Sequence, residues 1–173
     1  MLLSDNELYI RAIEPTDIDT IMNWENDTEL WKFGSNTAPF SRMVIWKYIS
    51  NYSADIYKDG QLRLLVCLKP SGTIVGIVDL YDFDPRNRRA YVGIMTDRLY
   101  QRKGYGLRAV RMLAEYAREV LHLHQLTAAI SADNQKSRAL FEKAGFSQTA
   151  VLKEWTVQPD GNYVDQTVYQ LFL

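Results

Sequence analysis

Six residues, Gln101-Arg102-Lys103-Gly104-Tyr105-Gly106, place two cations and two glycines directly ahead of a long amphipathic stretch. This combination suits an anion. The first amides of a helix have no internal partners, and they sit at the positive end of a dipole worth roughly half a charge. Gly104 and Gly106 let the backbone approach a ligand with no Cβ in the way, and Arg102 and Lys103 add full charges. The β-rich YVGIMT before the loop gives the strand–loop–helix order of phosphate sites. The spacing is neither G-x-x-x-x-G-K-[ST] nor G-x-G-x-x-G, which sets aside the ATP and NAD motifs. A structural turn carrying a solvated charge pair is the other reading of the same residues.

Other reactive residues are sparse. His122 and His124 stand two apart at a helix exit with no Cys or carboxylate cluster beside them, so no metal site is expected. Cys67, the one cysteine, lies in an apolar run and reads as a buried structural thiol. Trp24 and Trp31 flank Glu25, Asp27 and Glu29, and an aromatic–acidic mix suits a cationic amine. All four tryptophans, Trp46 and Trp155 included, read as core or pocket wall.

The elements that must position these residues follow from periodicity. ELYIRAI alternates as a first strand. Pro15 and Thr16 open a helix with Ile18, Ile21 and Met22 on one face. Thr28–Phe40, with Gly34 and Pro39, reads as irregular, and Ser41 caps a second helix carrying Val44, Ile45, Tyr48 and Ile49. QLRLLVCLK and TIVGIVDLYDF form a hairpin across Pro70-Ser71-Gly72, and RAYVGIMT is a further strand. Leu107, Val110, Leu113, Ala114, Ala117, Val120 and Leu121 recur as one helical stripe. QLTAAIS is a short strand, and DNQKSRALFEKAGF a helix closed by Gly145 with Phe146 folding back. A strand near Ser147–Trp155, a turn at Pro159-Asp160-Gly161 and the strand YVDQTVYQLFL complete the order. Hairpin strands followed by β–α–β–α–β predict an α/β fold with a mixed sheet between helices.

Composition bounds the function. A chain of 173 residues with 47% hydrophobic content predicts one domain with a real core. Net charge −1 gives no general pull toward nucleic acid or membrane. No apolar stretch is long enough to cross a bilayer, and MLLSDNELYI lacks the features of a signal peptide, which predicts a cytoplasmic protein. Charge is uneven, however. Residues 1–40 hold eight acids and two bases, whereas residues 84–118 hold nine bases and three acids. One segment favours a cation and the other an anion, unless both are solvated faces.

Gln101–Gly106 resembles the Q/R-x-x-G-x-G/A loop of the GNAT superfamily of N-acetyltransferases, and SADNQKSRALFEKAGF resembles its N-x-x-S/A…K-x-G-F segment. The chain looks most like the branch of spermidine acetyltransferases and ribosomal-protein N-terminal acetyltransferases, over essentially its full length. The resemblance implies a GNAT fold over residues 1–173: a mixed, mostly antiparallel sheet, helices on both faces, and a splayed-strand wedge for acetyl-CoA. It implies that Gln101, Arg102, Lys103, Gly104, Tyr105, Gly106 and Leu107 hold the pyrophosphate. Ile94, Met95 and Thr96 then pair with the pantetheine arm, and a bulge there splays the strand from Thr127–Ser131. Asn134 either contacts the pantetheine region or caps its helix, and the two roles are compatible.

The resemblance also implies acetyl transfer to an amine by direct attack, which needs a neutral nitrogen, an oxyanion partner and a proton for the leaving thiolate. Relatives often carry a Glu where this chain has Tyr91, and a Tyr where it has Phe141. Ser137 is the substitute acid and a cofactor contact, Glu154 the base, and Tyr91 part of the acceptor site with Glu25, Asp27, Glu29 and Trp31. Paired acids of the spermidine enzymes are replaced here by Asn36-Thr37. The expected partners are acetyl-CoA and an amine acceptor, with self-association open. The expected acceptor is a small amine or polyamine. A protein N-terminus, and a non-catalytic acyl-CoA sensor, remain as alternatives.

Overall fold

A computed structural model of the chain describes residues 2–31, 36–158 and 160–173, so Gly34 and Pro159 of the expected turns lie outside the described residues. The chain divides into two compact units. One comprises Met1–Ala12 and Ala54–Leu173, and the other, Ile13–Ser53, is inserted within it.

The larger unit is built on a seven-stranded sheet of order β1-β2-β3-β4-β5-β7-β6. Its strands are β1 (Leu8–Ala12), β2 (Leu62–Leu68), β3 (Ile74–Asp84), β4 (Arg89–Thr96), β5 (Gln125–Ser131), β6 (Ser147–Val157) and β7 (Tyr163–Phe172). Every neighbouring pair is antiparallel except β4 with β5. Strand β2 is buried on both faces, with Leu64 and Val66 alternating with Leu65 and Cys67, which explains its unbroken apolar sequence. Cys67 is fully buried, as its surroundings in sequence predict.

Helix α5 (Tyr105–Glu119) packs against β3 and β4. It buries Ala109, Val110, Leu113 and Ala117 completely. Ala109 joins the expected stripe, while Val120 falls at the C-cap and is exposed. Helix α6 (Gln135–Lys143) ends as its sequence predicts. Gly145 takes φ +101°, and the Phe146 amide donates to the Phe141 carbonyl at 3.0 Å. The two rings meet edge to face, 5.0 Å apart, inside the core.

The inserted unit holds a 3₁₀ turn (Pro15–Asp17) followed by α1 (Ile18–Glu25), α2 (Thr28–Trp31) and α3 (Arg42–Asn51). Ser41 caps α3 by accepting from the Val44 amide at 3.3 Å. The segment expected to be irregular from Thr28 starts with the single turn of α2, because Asp27 accepts from the Glu29 amide and closes the turn. A second short helix, α4 (Ile56–Asp59) of the larger unit, is set by its Asp55 cap and by Gly60 at φ +67°. Both fall below the length at which periodicity is informative. Trp46 and Trp155 are 48% and 61% exposed, so neither is core.

Candidate functional site

Strands β4 and β5 are neighbours for three residues only, from Arg89↔Gln125 to Tyr91↔Thr127. Beyond that point Val92–Thr96 and Ala128–Ser131 have no strand partner on the sides that face each other, among the described residues. The sheet therefore opens in a wedge whose closed end is Tyr91. The splay needs no bulge at Ile94–Thr96. The register of β4 with β3 is continuous from Tyr81↔Tyr91 to Gly76↔Thr96, and its irregularity lies between Tyr81 and Asp84 instead. Strand β4 stays on its antiparallel partner, and only its parallel neighbour departs.

The rim of the wedge is the N-terminus of α5. Arg102 at φ +63° and Gly104 at φ +80° turn the chain twice through the left-handed region. Gln101 closes the loop by donating its side-chain amide to the Thr96 carbonyl at 3.2 Å. Gly104 caps α5 without a side-chain bond. Among the described residues no partner is found for the amides of Tyr105, Gly106 and Leu107, and the first bonded amide is that of Arg108, 3.2 Å from the Gly104 carbonyl oxygen. A Cβ at Gly104 would meet nothing within 4 Å, so the backbone there is bare. Lys103 lies over the Tyr100 ring at 5.1 Å. This end can receive an anion on backbone donors with cations beside it.

Gly106 corrects the expectation that it clears a path for a ligand. Its Cβ would stand 3.0 Å from Leu140 Cδ1 and 3.1 Å from Thr96 Oγ1. The glycine lets α5 close on β4 and α6. Its side-chain space faces inward, and only its amide is turned toward the rim.

One group of rim residues escaped sequence reasoning. Arg108 grips Asp5 through two bonds of 2.9 and 2.6 Å and Glu7 through one of 2.7 Å. Tyr105 donates its hydroxyl to Glu7 at 2.8 Å. The Arg108 guanidinium, with the Leu8 and Glu7 amides, holds the Asp5 carboxyl well below the usual range against some burial. Glu7 is lowered by Arg108 and then by Tyr105, whose own hydroxyl is raised by that bond. These partners are about a hundred positions apart in sequence, and opposite charge was the only signal.

The remaining predicted residues divide. Asn134 is the cap of α6 and accepts from the Ser137 amide at 3.1 Å. Ser137 is half-buried on the α6 turn next to the Gly106–Leu140 contact. Ile94 and Thr96 face α5 across Gly106, and Met95 lies between them on the other face. Phe141 is packed on Phe146, so no acid stands there. Tyr91 stacks on Tyr81 with centroids 5.5 Å apart. Glu154 is not in this group: it is exposed on edge strand β6, with β7 between it and β5. It occupies a bulge between Leu152 and Thr156 at φ +50°, its amide donating to Asp165 at 2.9 Å. Glu25, Asp27, Glu29 and Trp31 belong to the inserted unit. There the Glu25 carboxylate accepts from Asn36, and the Trp31 indole donates to the Glu25 carbonyl. His124 packs its ring near Phe172.

Residues 7–147 match the family described as Acetyltransferase (GNAT) domain, which decides the matter. The chain belongs to this GNAT acetyltransferase family. It is 24% identical over 172 residues to the Bacillus subtilis protein named "Probable N-acetyltransferase YjcK", covering 96% of this chain and 94% of that one. It is 25% identical over 144 residues to the Escherichia coli (strain K12) spermidine N(1)-acetyltransferase, covering 83% and 75%. The crystal structure of spermidine N-acetyltransferase from Vibrio cholerae in complex with CoA and spermine superposes with a TM-score of 0.84 at 22% identity, covering 97% and 96%. This GNAT chain is an acetyl-CoA-dependent N-acetyltransferase. Its own residues fit that donor: the open edge of β4 suits an amide-bearing arm, and the unpartnered amides of Tyr105, Gly106 and Leu107 suit phosphates. Among the described residues no helix is long and apolar enough to cross a membrane.

Proposed function

We propose that this GNAT enzyme acetylates a small primary amine or polyamine, with donor and acceptor bound together. The observation that carries the reading is the wedge: β4 and β5 part beyond Tyr91↔Thr127, and the bare amides of α5 open at its rim. Acetyl-CoA supplies the activated acyl group. The backbone of Ile94–Thr96 takes its arm, the Gln101–Leu107 loop takes its phosphates, and Asn134 holds the α6 end against it. Direct attack by the amine is favoured over an acyl-enzyme because the one cysteine, Cys67, is fully buried in β2. Spermidine acetyltransferases among the relatives support a polyamine, while Asn36-Thr37 in place of paired acids broadens the choice to simpler amines. Ser137 would donate toward the leaving sulfur, and amine deprotonation would fall to solvent, because Glu154, the base expected from the sequence, stands on edge strand β6 with β7 between it and β5.

A panel of amines assayed for CoA release tests the activity, and calorimetry tests the loop. Gly104→Val is expected to weaken acetyl-CoA binding at least about tenfold, roughly 1.4 kcal/mol. Wild-type affinity in a folded Gly104→Val protein would remove the phosphate role. Ser137→Ala should lower kcat by ~10², the low end for acid–base groups, since water can substitute, whereas Glu154→Gln, on edge strand β6, should leave kcat near wild type. A Ser137→Ala protein that turns over like wild type would withdraw the acid role.

A further inference from the structure

Strand alternation turns Ala90 and Val92 of β4 into the core that α5 covers, and Tyr91 and Gly93 to the opposite face of the sheet. On that face Tyr91 stands opposite Tyr81, and Gly93 opposite Asp79. The tyrosine rings are stacked, 29° from parallel. A Cβ built on Gly93 would lie 3.6 Å from Tyr81 Cε1 and 3.8 Å from Asp79 Oδ2. The missing side chain thus leaves a notch floored by backbone and walled by an aromatic edge and a carboxylate. Arg63 fixes that carboxylate from β2, its Nε donating to Oδ1 at 2.9 Å and its second nitrogen to Oδ2 at 3.3 Å. The notch lies two residues along β4 from Tyr91, where the wedge closes.

We propose that this notch, with Asp79, Tyr81 and Tyr91 as its walls, receives the cationic acceptor amine. The inference rests on the transferase reading and deepens it. An amine must come within about 3–3.5 Å of the carbon it attacks. With the donor's arm on the open edge of β4 and α5 covering one face of that strand, the other face is the route left to the acceptor. The chemistry there suits a protonated chain. A carboxylate has about four lone-pair sites and can accept from more than one donor. The stacked rings add cation–π attraction for an ammonium group or its neighbouring methylenes. Burial first, then the nearby charges of Asp82, Tyr91 and Asp79, push the Tyr81 hydroxyl up to about 12. It stays neutral at physiological pH and accepts a hydrogen bond from a cation.

Steady-state kinetics on the full chain, with spermidine, putrescine and n-butylamine as acceptors, test the notch. Asp79→Asn should raise KM for the best of these amines roughly tenfold while KM for acetyl-CoA stays within about twofold. Gly93→Ala is the second variant. Its methyl makes contacts of 3.6–3.8 Å, ordinary van der Waals distances, so the protein should fold with the notch filled. It too should raise KM for the amine and spare acetyl-CoA. If Asp79→Asn leaves Arg63 unbalanced and fails to fold, Gly93→Ala alone decides. An active Gly93→Ala protein with an unchanged amine KM overturns the notch and leaves the transferase reading standing. A wild-type protein that binds acetyl-CoA but acetylates none of the amines overturns that reading, and the notch with it.

Discussion

Gly104 and Gly106 stand two residues apart and are glycines for different reasons. Gly104 has φ +80° and open space beyond its Cα, so a side chain there costs backbone strain, about 1–2 kcal/mol. Gly106 has ordinary helical dihedrals and no room. Gly106→Val should therefore lower stability by overpacking, about 1–3 kcal/mol, and the loss should appear in thermal unfolding without any ligand. An unchanged melting temperature would show that Leu140 and Thr96 yield freely. Glu154 offers the converse case. Its φ of +50° is a conformation that glycine adopts without penalty. Glu154→Gly is thus expected to unfold at or above the wild-type temperature, whereas glycine at an ordinary strand position would cost about 0.5–1 kcal/mol. A clear drop in melting temperature would mean that the bulge draws on the Glu154 side chain. Neither distinction is legible in the sequence, because a glycine pattern reports permission and not the reason for it, and a glutamate in a strand reports nothing of its φ.

At the scale of elements, the rim depends on how the first turn of α5 is held. Tyr105 and Arg108 tie that turn to Asp5 and Glu7 just ahead of β1. The Asp5 carboxyl is depressed in the folded state chiefly by its bonds to Arg108. Below its unfolded value near 3.9 the unfolded chain therefore binds more protons, and stability is lost as pH falls from there toward the folded value. It is fully present above. Asp5→Asn should cost on the order of 1 kcal/mol at pH 7 once solvent screening of this half-exposed pair is allowed for. The gap to wild type should narrow below about pH 4. Urea unfolding at pH 7 and pH 3 checks this, and a gap of constant size would assign the effect to shape and not charge. Local elements were readable: β4 and β5 follow from eight- and seven-residue β-rich runs, and α5 from its stripe. The ties between them were not, since Asp5 and Arg108 are 103 positions apart and no periodicity links them. The wedge was legible only through family resemblance, because nothing in a strand's composition says where its neighbour leaves it.

Across the whole molecule, the opposed charge of the N-terminal and central segments is partly cancelled inside the fold. Arg108 of the central segment pairs with Asp5 and Glu7 of the N-terminal one. Arg111 donates to the neutral Lys143 carbonyl at the end of α6 and keeps its charge. The surplus that the sequence shows as a basic run is therefore somewhat smaller in space than in composition, and the exposed cations Arg102 and Lys103 of the loop are part of what remains. This bears on how an anionic donor would be drawn in. Exposed charges act over a Debye length of about 8 Å at physiological salt, shrinking to about 3 Å at 1 M. Backbone amides fixed at the helix end act at contact and are screened far less. If the loop takes the phosphates of acetyl-CoA, its affinity has a salt-sensitive part from Arg102 and Lys103 and a salt-tolerant part from the amides. Arg102→Ala with Lys103→Ala should then weaken binding at low salt and flatten its dependence on KCl, the two proteins converging as salt rises. Titration calorimetry over a series of KCl concentrations reads both slopes. Parallel slopes would make the two cations a solvated face, and the recruitment of the anion would fall to the amides and to the residual field of the molecule.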